Sequence, residues 1–147
     1  GEDIPTEGNH MKLERIEYSK LNPKQQEQHN YHKVTSLLAD FGYAGLLLAD
    51  DYEGADFFAM HKDGGILKVQ LKSRVTISRK YIGKDLYIAF PIKDRWCLIP
   101  HDVLLGLPAI SVWLQRLSWL NNGLYSSPHS SKKLVAAVAD YLIPEKV

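Results

Sequence analysis

The sequence predicts an α+β domain, α/β in the broad sense: an N-terminal helix on a mixed, mainly antiparallel sheet, followed by C-terminal helices. Three observations predict it. A complete helix start stands at Asn22, short extended segments separated by turn residues fill the middle, and helical periods return in the last third.

The first helix is the plainest element. Asn22 offers a side-chain acceptor at the cap, Pro23 has no N–H to lose at the first helical position, and Gln25 stands where a capping box needs it. Tyr31, Val34, Leu38 and Phe41 recur at helical spacing, and Gly42 can take the left-handed conformation that ends a helix. Extended segments follow. Residues 45–48 are apolar, an Asp50-Asp51 corner precedes a segment over 55–60, and Asp63-Gly64-Gly65 is a hairpin signal. Residues 66–72 alternate, with Leu67, Val69 and Leu71 on one face and Lys68, Gln70 and Lys72 on the other. Residues 75–81 read as an extended arm, and 85–90 and 96–99 as two more strands. His101-Asp102 opens a short helix ending near Gly106-Leu107-Pro108, with His101 as its cap or a DNA contact. Ile110, Trp113, Leu114, Leu117 and Leu120 form one apolar stripe stopped by Asn121-Asn122-Gly123, and Ser131 caps a last helix reaching about Ile143.

Residues 1–10 are polar, lack an apolar period and end in His10 before Met11, so they read as an expression remnant, leaving 11–147 as a single domain. Of 17 acidic residues, Glu2, Asp3 and Glu7 lie in that segment, which has no Lys or Arg, so the rest of the chain is the more basic part. A hydrophobic fraction of 45% and a charged fraction of 24% are those of a globular protein with a real core. The single cysteine, Cys97, excludes an intramolecular disulfide and fits a reducing compartment, so the cytoplasm is the expected location. No apolar run approaches the ~18 residues of a membrane helix, so no membrane partner is expected. His29 and His32, with one distant cysteine, do not make a zinc cluster, and there is no Gly-rich phosphate loop.

One constellation could carry chemistry. Residues two apart on a strand share a face, so Gln70 and Lys72 project together, and the Asp-Gly-Gly hairpin brings back the strand of Asp56. A carboxylate, a carboxamide oxygen and an ammonium at one sheet edge suit a hard cation such as Mg2+, which takes oxygen ligands. Spacing alone favours a solvated strand face carrying Lys68, Gln70 and Lys72, with Asp56 as a turn residue.

The stretch 54–59 (Gly-Ala-Asp-Phe-Phe-Ala), the hairpin, and Leu67-Lys68-Val69-Gln70-Leu71-Lys72-Ser73-Arg74 resemble the core of the PD-(D/E)xK nuclease superfamily, over about residues 22–90. Gln at the middle position is found in several branches, homing endonucleases among them. The resemblance implies a restriction-endonuclease-like core. It implies Asp56 as the main metal ligand, Gln70 as the second, the Leu71 carbonyl as a third donor, and Lys72 as the catalytic lysine. Glu27 would be the helical acid, although members often carry it nearer the helix centre, where Asn30 and Tyr31 stand here; an exposed first-turn acid is the other reading. The implied function is metal-dependent DNA endonuclease, using Mg2+ or Mn2+, as a dimer or tetramer. A non-catalytic DNA-binding or assembly module is the alternative that Gln70 keeps open. The superfamily also places a helix after the lysine strand; here either it is missing or the C-terminal helices replace it.

Between residues 62 and 84 there are seven Lys or Arg against Asp63 alone. Lys68, Arg74, Arg79, Lys80 and Lys84 are the expected DNA contacts, on an arm lying along a phosphate backbone. Edge-protecting lysines on a solvated hairpin are the other reading of the same cluster.

Overall fold

The structure, a computed structural model, describes residues 11–146. The suggested expression remnant lies outside them.

Helix α1 (Pro23–Ala39) starts as its residues dictate: the Asn22 side chain accepts from the Gln25 N–H at 2.8 Å, and the Gln25 side chain accepts from the Asn22 N–H at 3.0 Å. Such a cap stabilises a helix by about 1 kcal/mol. Gly42, at φ 86°, turns the chain away. Val34 and Leu38 are buried, while Phe41, past the helix end, stays exposed.

Strands β1 (Tyr43–Tyr52), β2 (Ala55–His61) and β3 (Ile66–Leu71) form an antiparallel meander. After the short β4 (Thr76–Ser78) the chain returns as β5 (Leu86–Ile92), parallel to β3, and β6 (Arg95–Pro100) closes the far edge, antiparallel to β5. The sheet order is β1-β2-β3-β5-β6, mixed and mainly antiparallel as expected. Alternation divides the core. Phe57, Ala59, Val69 and Ala89 pack with Val34 and Leu38 of α1. Ile88, Phe90 and Ile99 pack in a second cluster with Leu104, Ile110, Trp113, Leu134 and Val138. That cluster is closed by α2 (His101–Leu105), a 3-10 segment (Pro108–Gln115), α3 (Leu117–Asn122) and α4 (Lys132–Ala137). No α-helix lies between β3 and β5, and the C-terminal helices pack against one face of the sheet.

Several expectations are corrected. Asp50-Asp51 is no corner: both residues lie in β1, and the turn falls at Glu53 (φ 52°) and Gly54 (φ 91°). Residues 75–81 are not a free arm. Val75, Thr76, Ile77, Ser78 and Tyr81 are all buried, because β4 pairs with β7 (Leu124–Ser126) and packs on the second core cluster. His101 neither caps α2 nor reaches solvent; it is buried, and its Nε2 accepts from the Ser78 N–H at 3.0 Å. The apolar stripe breaks at Arg116, which is extended (ψ 146°), so Leu117 and Leu120 are exposed and Trp119 turns inward. Ser131 caps α4 as read, accepting from Leu134 N, but the helix ends at Ala137. A 3-10 turn follows, and the Ile143 N–H donates to Trp96 O at 2.8 Å, joining the chain end to β6.

Candidate active site

The meander builds a cleft at the end of β2 and β3. The register Phe57↔Val69, continued one step, sets Asp56 opposite Gln70. Asp56 Oδ2 accepts from the Leu71 N–H at 2.8 Å, which holds the carboxylate across the two strands. Gln70 is buried, and its Nε2 donates to Leu71 O at 3.4 Å. That leaves its Oε1 buried with no hydrogen-bond partner. A buried acceptor left unsatisfied costs about 1–3 kcal/mol and calls for an explanation. Lys72 follows the last residue of β3, and its N–H donates to Ala89 O at 2.9 Å, so parallel pairing with β5 carries on to the lysine backbone.

Asp56, Gln70, Leu71 and Lys72 line one cleft, and Glu27 of α1 lines it with them. The sequence-derived set is therefore brought together, Glu27 included. Mid-helix, Asn30 is buried at the same cleft and its amide donates to Tyr18 Oη at 2.8 Å, so that position anchors the segment before α1. Burial raises the Asp56 carboxyl above its ordinary value. The Leu71 N–H and the Lys72 charge oppose this, and Glu27 and Asp51 add to it. Burial lowers the Lys72 ammonium, with Lys80 acting the same way and Asp56 and Asp51 in opposition. Tyr81 is pushed up to about 12, first by burial and then by the charges of Asp56 and Asp51. Its ring supports the turn before Asp56: a Cβ on Gly54 would stand 2.9 Å from it.

The donors in the cleft are oxygen atoms, from the Asp56 carboxylate, Gln70 Oε1 and the Leu71 carbonyl, which is the chemistry that Mg2+ and Mn2+ prefer. The orphaned Gln70 oxygen fits such an ion, which would satisfy it. Among the described residues, no three His, Cys, Asp or Glu side chains are grouped so as to hold a metal by themselves.

The expected DNA contacts are scattered. Lys68 lies outside the cleft, paired with Glu53 at 2.9 Å. Arg79 donates to Trp119 O at 2.8 Å, with its guanidinium 5.2 Å over the Trp119 ring. Lys80 is exposed, its Nζ 5.3 Å over the Tyr81 ring, and Arg74 and Lys84 are exposed.

Sequence reasoning missed Asp51. The β1–β2 register runs Leu47↔Phe57 and then Tyr52↔Ala55, so residues 48–51 all stand opposite Asp56. That bulge carries Asp50 and Asp51 to the cleft. The acid pair just before the turn was the available signal, but a bulge has no period to read.

No family model matches the chain, and no curated protein does. Among solved structures, the chain is similar to a Holliday junction resolvase, Hjc, from the archaeal hyperthermophile Archaeoglobus fulgidus. The two are 14% identical, the match covers 47% of this chain and 74% of that one, and the TM-score is 0.38. It is also similar to a bacterial homing endonuclease, I-Ssp6803I, again at 14% identity, over 76% of this chain and 78% of that one, with a TM-score of 0.46.

Proposed function

We propose that this chain is a metal-dependent DNA endonuclease that hydrolyses phosphodiester bonds. The observation that carries the reading is the convergence of Asp56, Lys72 and an unpartnered, buried Gln70 oxygen on one cleft. Asp56, Gln70 and the Leu71 carbonyl would hold Mg2+ or Mn2+. Such an ion, when bound, polarises the phosphate and lowers the pKa of water.

The residues supply the rest. The Leu71 N–H and the strand pairing hold Asp56 still, so its oxygen needs no rearrangement when the phosphate arrives. Lys72, next to Asp56 and partly desolvated, stabilises charge developing on the phosphate oxygens or steers the attacking water. Glu27 adds negative charge at the cleft wall opposite the strands. Arg74, Lys80 and Lys84 are free to meet phosphates, and Lys68 and Arg79 could do so only by sharing their present partners. A duplex has two strands to cut, so the working form in this reading is a homo-oligomer, a dimer or tetramer, in the cytoplasm. Among the described residues, no helix is long and apolar enough to cross a membrane.

Gln70, where a carboxylate would bind a cation more strongly, favours a second reading: a DNA-binding or assembly module that no longer cuts. Incubation with supercoiled, linear and branched DNA in Mg2+ or Mn2+ separates the two. The endonuclease reading expects cleavage, and a loss of about 100-fold or more for Lys72→Ala with DNA affinity retained. Binding without cleavage on every substrate would establish the module instead. No binding at low salt would remove both.

A further inference from the structure

The cleft has a charge problem if it holds a divalent cation. Gln70 is neutral, so the facing positions of β2 and β3 bring one carboxylate, Asp56, with the Lys72 ammonium beside it. Their charges cancel, and cation affinity in oxygen sites follows the charge count of the ligands.

Glu27 adds one carboxylate from the α1 wall, and the β1 bulge adds charge from the strand side. Regular pairing would place one β1 residue opposite Asp56, but residues 48–51 stand there together. Both Asp50 and Asp51 line the cleft, and Asp51 is the one tied to the turn that leads into Asp56. Asp51 Oδ1 accepts from the Gly54 N–H at 2.7 Å, which pins the carboxylate to the turn leading into Asp56. Its other oxygen takes no hydrogen bond among the described residues. Asp51 is also the bulge acid whose charge is felt at Asp56, at Lys72 and at Tyr81. Independently of the acids, the buried Gln70 Oε1 stands without a partner at the same cleft, an acceptor waiting for a donor or a cation.

We infer that Asp51, carried into the cleft by the β1 bulge, is an anionic member of the cation site and supplies the negative charge that Gln70 does not. The inference rests on the reading of Asp56 and Gln70 as a cation site, and it adds a residue that neither the period of the strands nor the superfamily resemblance assigns. It also accounts for the site working with a carboxamide: the second charge comes from β1 instead of β3.

The test is Mn2+ titration of the full chain, followed by electron paramagnetic resonance of the free ion, without DNA. Asp51→Asn keeps an oxygen for the Gly54 N–H, so the turn is retained while the charge goes. Thermal unfolding of the metal-free variants confirms that each is folded. The expected result is Mn2+ affinity weakened roughly tenfold or more in Asp51→Asn, the scale of losing a group that supports a metal site. Asp63→Asn, in the exposed hairpin outside the cleft, should bind as the wild type does. Adding Gln70→Glu to Asp51→Asn should restore the affinity, because the charge returns from the neighbouring strand. Unchanged affinity in Asp51→Asn, an equal loss in Asp63→Asn, or no recovery in the double variant would each overturn the role of Asp51. A wild-type protein that binds no Mn2+ would instead overturn the cation site, and the endonuclease reading with it.

Discussion

Burial disfavours the charged form of both Asp56 and Lys72. The Asp56 carboxyl is raised, chiefly by burial, so its folded value lies above that of the unfolded chain. The protonated form then stabilises the fold below the unfolded value, and that contribution is lost as pH rises through the folded value. At pH 7, well above the ordinary carboxylate value, a carboxyl at this position is therefore a net cost to the metal-free fold. Asp56→Asn, which keeps an acceptor for the Leu71 N–H, should raise the thermal midpoint of chelator-treated protein at pH 7. The gain should shrink as pH falls toward the ordinary carboxylate range. An equal or lower midpoint at pH 7 would mean that the Leu71 N–H and Lys72 fully offset burial. Lys72 has the complementary sign: its lowered value means that the ammonium costs stability below it. At this scale Asp56, Gln70 and Lys72 are legible from period-two spacing and resemblance, whereas Asp51 reads from sequence only as part of a corner.

Among the elements, β4 is the one that joins the cleft to the C-terminal half. It follows Lys72 by a few residues, is buried throughout, pairs with β7 and is tied to α2 through His101. Because His101 Nε2 accepts from Ser78 N, its Nδ1 carries the proton and donates to Asp102 Oδ1 at 3.0 Å. His101→Ala would leave a buried N–H unpaired and a void beside Tyr81, so it should destabilise the protein by about 2–4 kcal/mol, measured by urea unfolding. A change under about 0.5 kcal/mol, the range of ordinary surface substitutions, would show that β4 does not depend on this histidine. The sequence favours an exposed arm here because Val75 and Ile77 alternate with polar Thr76 and Ser78. Thr76 is buried because its hydroxyl donates to Arg74 O at 2.9 Å, and β7 takes up the strand edge. A three-residue partner nearly fifty residues away leaves no local signal.

Over the whole molecule, the basic residues divide between fold and surface. Arg79 bridges the turn after β4 to α3 through Trp119, while Lys80 and Lys84 project from the link between β4 and β5. Replacing Lys80 and Lys84 together by Ala should weaken DNA binding and flatten its salt dependence, by about one unit of logarithmic slope for each phosphate no longer neutralised. Arg79→Ala should act mainly on the thermal midpoint, since the hydrogen bond and stacking that it loses are internal. The reverse pattern, with Arg79 setting the salt slope and the lysines only stability, would place the DNA path elsewhere.

What the sequence determined alone was local in origin. The Asn22 capping box, the Gly42 stop, the hairpin at residues 63–65 and the alternation of β3 each depend on backbone preferences within a few residues, and each stands in the structure. The meeting of Asp56, Gln70 and Lys72 at one cleft was legible for the same reason: Gln70 and Lys72 share a face by strand period, and a tight turn returns the chain to Asp56. What tertiary structure decided was wherever distant segments compete for the same surface. The β1 bulge that carries Asp51, the burial of β4 under a late strand, the inward turn of Trp119 and the commitment of Arg79 all follow from packing between residues far apart in the chain. Local propensity cannot register such packing, because the free energy that selects it is gained only when both partners are already in place.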